Sequence, residues 1–121
     1  MTKIVRIDTD TRLSRVVTYN GIAFLSGVAA SGRDQDIKGQ TQQVLAKIDT
    51  FLENAGTDKK RLLTAQIWLE DIARDFGGMN EVWNAWTAPA SAPARATAQC
   101  EMASPGILVE IVVTAALPEQ A

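Results

Sequence analysis

Histidine is missing from this 121-residue chain. Its absence removes the commonest general base at neutral pH, the commonest metal ligand and every Ser-His or Cys-His nucleophile pair. Cysteine occurs once, as Cys100, so no internal disulfide can form and a zinc site would lack its usual donors. Neither sign of charge dominates: 12 Lys and Arg against 14 Asp and Glu leave a formal −2. The chain therefore offers no basic footprint for DNA or RNA and no Lys/Arg cluster for anionic lipid. Long apolar runs are lacking too. "ILVEIVVTAAL" is too short to span a bilayer and carries Glu110, and the opening "MTKIVRIDTD" has no apolar run of signal-peptide length. The expectation is a soluble, cytoplasmic protein that binds neither nucleic acid nor membrane and holds no metal. Any catalysis falls to carboxylates, Arg, Lys, hydroxyls, backbone groups and water.

What is present reads as one domain spanning residues 1–121, long enough to bury roughly two-thirds of its unfolded surface. "KIVRID" is a candidate first strand. "RVVTY" and "IAFLSG" flank Asn20-Gly21, the dipeptide best suited to a two-residue type I′ hairpin. From Asp36 to Ala55, apolar residues recur at three- and four-residue spacing, and Gly56 follows where a left-handed cap is wanted. "RLLTAQIWLED" alternates with period two and predicts a strand. A second helix is predicted from Asp75, as N-cap, to Thr87, with Phe76, Met79, Val82, Trp83 and Trp86 on one side. Two strands joined by a short turn, "PARATAQC" and "ILVEIVVTA", complete the pattern. Strands, helix, strand, helix, two strands predict an α+β sandwich, two helices on one face of a mixed sheet. The other face mixes Thr, Gln, Arg and Glu with aliphatics, and its expected fate is burial against another subunit.

The last two strands each carry one charge. Burying a lone charge costs several kcal/mol, so core strands exclude one unless it is paired or used. In the final strand, Ile107, Val109, Ile111 and Val113 share the face expected under the helices, which sends Glu110 to the opposite side. In the strand before it, Ala94, Ala96, Ala98 and Cys100 are the expected helix-facing set, with Cys100 a buried, inert thiol. Arg95, Thr97 and Gln99 then face away from the helices. Joined as a hairpin, the strands would put Arg95 and Glu110 on one face within reach of each other. Two readings stand: a structural ion pair at a subunit interface, or a clamp in which Arg holds a carboxylate and Glu handles a water or a proton. "FLSGVA" likewise reads either as a bent strand end or as exposed backbone and hydroxyl beside a ligand. "DFGGMN" does not fit a phosphate-binding loop, and Trp68, Trp83 and Trp86 read as packing residues.

"PAR" followed fifteen residues on by the Glu of "LVEIVVTA" resembles the C-terminal signature of the RidA/YjgF family of enamine/imine deaminases. "GIAFLSG" resembles that family's early strand, "QTQQVLAKIDTFLENAG" its first helix and "DFGGMNEVWNAW" its second. The resemblance covers nearly the whole chain. It implies a chorismate-mutase-like fold, a homotrimer with sites in the clefts between subunits, and no cofactor. It further implies hydrolysis of reactive 2-imino acids to 2-oxo acids and ammonia. Residue by residue, Arg95 would bind the substrate carboxylate, Glu110 would position or activate water, Ser26 and Gly27 would line the pocket, and Asn80 and Thr97 would lie nearby. Two positions depart from the family pattern. "LSRVV" lacks the Tyr found before the second strand, and Thr97 stands where a Cys is usual. The missing Tyr motivates an alternative, a non-catalytic module that binds or senses a small carboxylate such as a 2-oxo acid.

Overall fold

The computed structural model describes residues 3–119; residues 1, 2, 120 and 121 of the expected domain lie outside them. The strands are β1 (Val5–Thr9), β2 (Ser14–Tyr19), β3 (Ile22–Leu25), β4 (Val28–Ala29), β5 (Leu62–Leu69), β6 (Ala94–Gln99) and β7 (Val109–Ala116). The helices are α1 (Ile37–Asn54) and α2 (Ile72–Trp86), and Lys59–Arg61 makes one 3₁₀ turn before β5. The seven strands form one sheet in the order β1-β2-β3-β7-β5-β6, with β4 also paired to β7. All pairings are antiparallel except β5 with β6. The α+β architecture with a mixed sheet is as the sequence predicts. Among the described residues no helix is long and apolar enough to cross a membrane.

Local chemistry explains most of the elements. Asn20 and Gly21 both take positive φ, 54° and 78°, as a type I′ turn requires, so β2 and β3 form the expected hairpin. Asp36 caps α1 by accepting from the Gly39 N–H, and Gly56 leaves the helix at φ 85°. Val44, Leu45, Ile48 and Leu52 turn inward onto Ile67, Leu69, Val109, Ile111 and Val113. The even alternation of β7 is thus read correctly: Ile107 and the odd-numbered valines and isoleucine are buried, and Glu110 is not.

The placement of β6 differs from the expectation. It does not pair with β7; it runs parallel to β5, which lies between the two. The chain β5–α2–β6 is a strand–helix–strand crossover, which delivers the second strand parallel to the first. Residues 100–108 then carry the chain past β5 to β7. The phase of β6 is reversed as well. Arg95 pairs with buried Ala65 and Thr97 with buried Ile67, so both face the helices, while Ala94, Ala96 and Ala98 lie on the open face and are exposed. Cys100, expected to be buried, is exposed.

Helix α2 starts one turn earlier than expected, with Asp71 as N-cap accepting from the Arg74 N–H. Two aspartates four residues apart offered the same capping chemistry, and the first one took it. Asp75 is only 4% exposed and receives two hydrogen bonds from Arg74, at 3.0 and 2.8 Å. Phe76, placed by the sequence reading on the inner side, is exposed, while Met79 and Trp83 are buried.

One buried polar residue, unremarked in the sequence, ties α1 to the chain just before β7. Gln40, fully buried in α1, donates to the carbonyls of Gln35 and Gly106 and accepts from the Leu108 N–H at 2.9 Å. Gln40→Leu keeps the volume but strands three backbone groups. The expected cost is about 2–4 kcal/mol, read as a lower urea midpoint with an unchanged m-value. A shift below experimental error would show that water replaces the amide.

Candidate active site in two halves

Ser26 and Gly27 occupy the break between β3 and β4, where the sheet lets the chain bend toward β7. The Ser26 N–H still holds the sheet through the Arg15 carbonyl at 3.0 Å. On β7, Glu110 pairs with Ala29 of β4, and its carboxylate lies directly against Gly27. A Cβ at Gly27 would collide with that carboxylate where it now stands, so the glycine is what allows this close approach. The Ser26 Oγ is buried with no hydrogen-bond partner among the described residues. Such an orphan hydroxyl costs stability unless something else satisfies it. Glu110 also borders an open groove of about 610 Å³ with Trp68 and the loop Cys100–Ala103.

The second half lies on the other side of the sheet. Arg95 reaches helix α2, where its Nη1 donates to Asn80 Oδ1 at 2.8 Å and its guanidinium lies over the Trp83 ring, 5.6 Å from the centroid. None of the ion pairs among the described residues includes Arg95. Burial alone pulls its pKa down from the usual guanidinium value. Thr97, two residues along the same face, holds a second buried hydroxyl without a partner. A partly buried guanidinium with one of five N–H groups committed and no carboxylate beside it has the free donors to receive a planar anion.

The six residues predicted from sequence therefore fall into two groups. Ser26, Gly27 and Glu110 come together, and so do Asn80, Arg95 and Thr97. The groups do not meet within one chain, because Glu110 pairs with Trp68 on the open face while Arg95 pairs with Ala65 on the helix face. The expected hairpin contact between Arg95 and Glu110 is corrected on this point. Sequence reasoning also missed Trp83 beneath the guanidinium. Its three-residue spacing from Asn80 on one helix was the available signal. Among the described residues no group of three or more His, Cys, Asp or Glu could hold a metal ion.

A mixed sheet backed by two helices, with a half-buried arginine on one face and a carboxylate against a glycine on the other, makes this a small α+β protein with two candidate binding surfaces. The family profile described as Endoribonuclease L-PSP matches residues 3–117, and the chain belongs to this family, also known as RutC or YjgF. It is 44% identical over 117 residues to a RutC family protein of Haemophilus ducreyi, covering 97% of this chain and 99% of that one. A crystal structure of a YjgF family member from Neisseria meningitidis superimposes with a TM-score of 0.94 at 39% identity, covering 98% of both chains. A more distant relative, 32% identical over 110 residues and covering 86% of this chain, is the chloroplastic Reactive Intermediate Deaminase A of Arabidopsis thaliana; the match spans 58% of that protein.

Proposed function

We propose that this protein hydrolyses reactive 2-imino acids to 2-oxo acids and ammonia, in clefts where the Glu110 half of one subunit meets the Arg95 half of a neighbour. The observation that carries the reading is the pair of incomplete halves, each with a buried orphan hydroxyl, on opposite faces of one sheet. The name of the Arabidopsis relative supports the same chemistry. The partly exposed aromatic and aliphatic residues of the open face, among them Phe24, Trp68 and Val112, support an oligomer. A closed ring of three is the assembly proposed.

The chemistry asks little of the protein. An imine carbon is already electrophilic, so neither a metal nor a cofactor has to activate it. Arg95 and its Asn80 partner would hold the substrate carboxylate, fixing the imine carbon near Glu110 of the adjacent chain. A water held by Glu110 adds to that carbon and passes a proton to the carboxylate. The C=N bond becomes a single bond and its electron pair takes a proton on nitrogen. The carbinolamine then loses ammonia as its hydroxyl proton leaves, forming the 2-oxo acid. Water is consumed, ammonia is released, and Glu110 is restored.

The direct test generates 2-iminobutanoate in situ and follows its disappearance. Loss no faster than in buffer, for every imino acid tried, would sink the deaminase reading. The missing Tyr favours the second reading, in which the cleft binds a 2-oxo acid without turnover, and saturable calorimetric binding with no hydrolysis would support it. Sedimentation at micromolar concentration is expected to show three chains per particle; a stable monomer would remove the shared cleft.

A Gly27→Ala substitution probes the Glu110 half. The Gly27 backbone has no left-handed φ, so alanine meets no conformational obstacle, and the new methyl collides with a movable carboxylate. Stability is expected to change by less than about 1 kcal/mol, while kcat/KM falls at least about tenfold as the base is displaced. Full activity in this variant would mean that the position of the Glu110 carboxylate is not important.

A further inference from the structure

Lys47 extends from α1 to β4, where its Nζ donates to the Ala29 carbonyl at 2.9 Å and the Ser31 Oγ at 2.7 Å. Neither acceptor is charged. Arg15, from β2, and Arg33 stand close enough to add positive field at this ammonium. Burial and these two arginines together pull the Lys47 pKa below its ordinary value. Among the described residues, no ion pair includes Lys47, Arg15 or Arg33. Arg33 is occupied by the carbonyls of Ala30 and Pro105. Arg15 also adds positive field at Asp10, whose carboxylate accepts from the backbone N–H groups of Arg12 and Leu13 at 2.7 and 3.0 Å. Positive charge is therefore gathered here, and among the described residues no carboxylate lining the cleft forms an ion pair with it.

This charge lines a cleft of about 190 Å³ bounded by Arg15, Gly27, Val28, Ala29, Lys47 and Phe51. Gly27 is shared: it borders this cleft and also carries the Glu110 carboxylate against it. With no Cβ at that position, the Glu110 carboxylate comes up against the same backbone that walls the cleft. We propose that the cleft is a side-chain subsite of the same active site, receiving a second carboxylate, so that 2-imino dicarboxylic acids are preferred substrates. This inference rests on the deaminase reading above. The substrate's first carboxylate goes to Arg95 of the neighbouring subunit and its imine carbon lies beside Glu110. The side chain passes Gly27 to place its own carboxylate between Arg15 and Lys47. The reaction is the same balanced hydrolysis, yielding a 2-oxo dicarboxylic acid and ammonia. Phe51 supplies the apolar wall for the intervening methylene groups.

The test compares 2-iminosuccinate with 2-iminobutanoate, both generated in situ. Charge-assisted hydrogen bonds to the second carboxylate are expected to raise kcat/KM for the diacid at least about tenfold, chiefly through KM. In Arg15→Gln and in Lys47→Met the ratio of the two values should fall by about the same factor. Lys47→Met also removes the link to β4, so Arg15→Gln, which leaves that link intact, is the decisive variant. A ratio near one, or a ratio that Arg15→Gln leaves unchanged, would overturn the subsite. Should no imino acid be hydrolysed, the deaminase reading fails, and calorimetry decides the subsite separately. There 2-oxoglutarate should bind about tenfold more tightly than 2-oxobutanoate, with the difference lost in Arg15→Gln. Equal affinity for the two acids, or inorganic phosphate displacing 2-oxoglutarate without affecting 2-oxobutanoate while Arg15→Gln has no effect, would overturn it.

Discussion

Replacing Arg95 by alanine is expected to lower kcat/KM for 2-imino acids about a thousandfold, the loss of two charge-assisted hydrogen bonds to a carboxylate. The same change should alter stability by no more than about 1 kcal/mol, because the guanidinium has no charged partner to leave stranded. It gives up one hydrogen bond to Asn80 and the cation–π contact with Trp83, while relieving the cost of holding a charge in a half-buried position. Arg95→Lys separates charge from geometry. Lysine keeps the positive charge but cannot present two parallel donors, so most of the loss should remain. Thermal unfolding alongside imine hydrolysis is the measurement. Collapse of the assembly in Arg95→Ala, with activity lost only in proportion, would make Arg95 a strut between subunits.

An equal mixture of Arg95→Ala and Glu110→Gln chains is expected to recover activity that neither variant has alone. Each cleft is proposed to take its arginine from one chain and its carboxylate from the next. In randomly assembled rings about one quarter of the clefts would then combine the intact half of each variant. Co-expression with two different tags, purification through both and native mass spectrometry would define the mixed particles whose turnover is measured. In a mixed ring of three, one cleft of the three combines the two intact halves, so recovery to about a third of the wild-type rate is the expected result for such a heterologous contact. No recovery in particles shown to be mixed would place both groups in one subunit's site, which the opposite facing of the two strands makes hard to achieve.

Much of this arrangement could be read in the residues, and the failures have physical causes. The Asn20-Gly21 turn, the period of α1 and the alternation of β7 are local signals, each strong enough to survive tertiary context. The place of β6 is not local. A period-two pattern says that two sets of residues face opposite ways, but not which way. Alanine, as in Ala94, Ala96 and Ala98, fits either face at little cost. Arginine settled the phase instead, by placing its guanidinium over Trp83 and against Asn80 rather than out in solvent. The crossover through α2 was legible in principle, since a strand, a helix and a strand in succession favour a parallel pair. Treating the last two strands as a hairpin overrode that rule. The grouping of Ser26 and Gly27 with Glu110 came from family resemblance, because eighty residues of chain separate them and no spacing rule reaches so far.

The position of β7 has a consequence for how the chain is made. It is the last strand in order, yet it lies between β3 and β5, and β4 pairs with it as well. During vectorial synthesis every earlier strand leaves the ribosome before the one that joins them. Until Val109–Ala116 emerges, the β1–β3 sheet and the β5–β6 pair each present an open edge with no partner. Such edges invite pairing with other nascent chains. The nascent protein is thus most exposed to misassembly just before its final strand arrives, and closing the sheet is the event that ends that exposure.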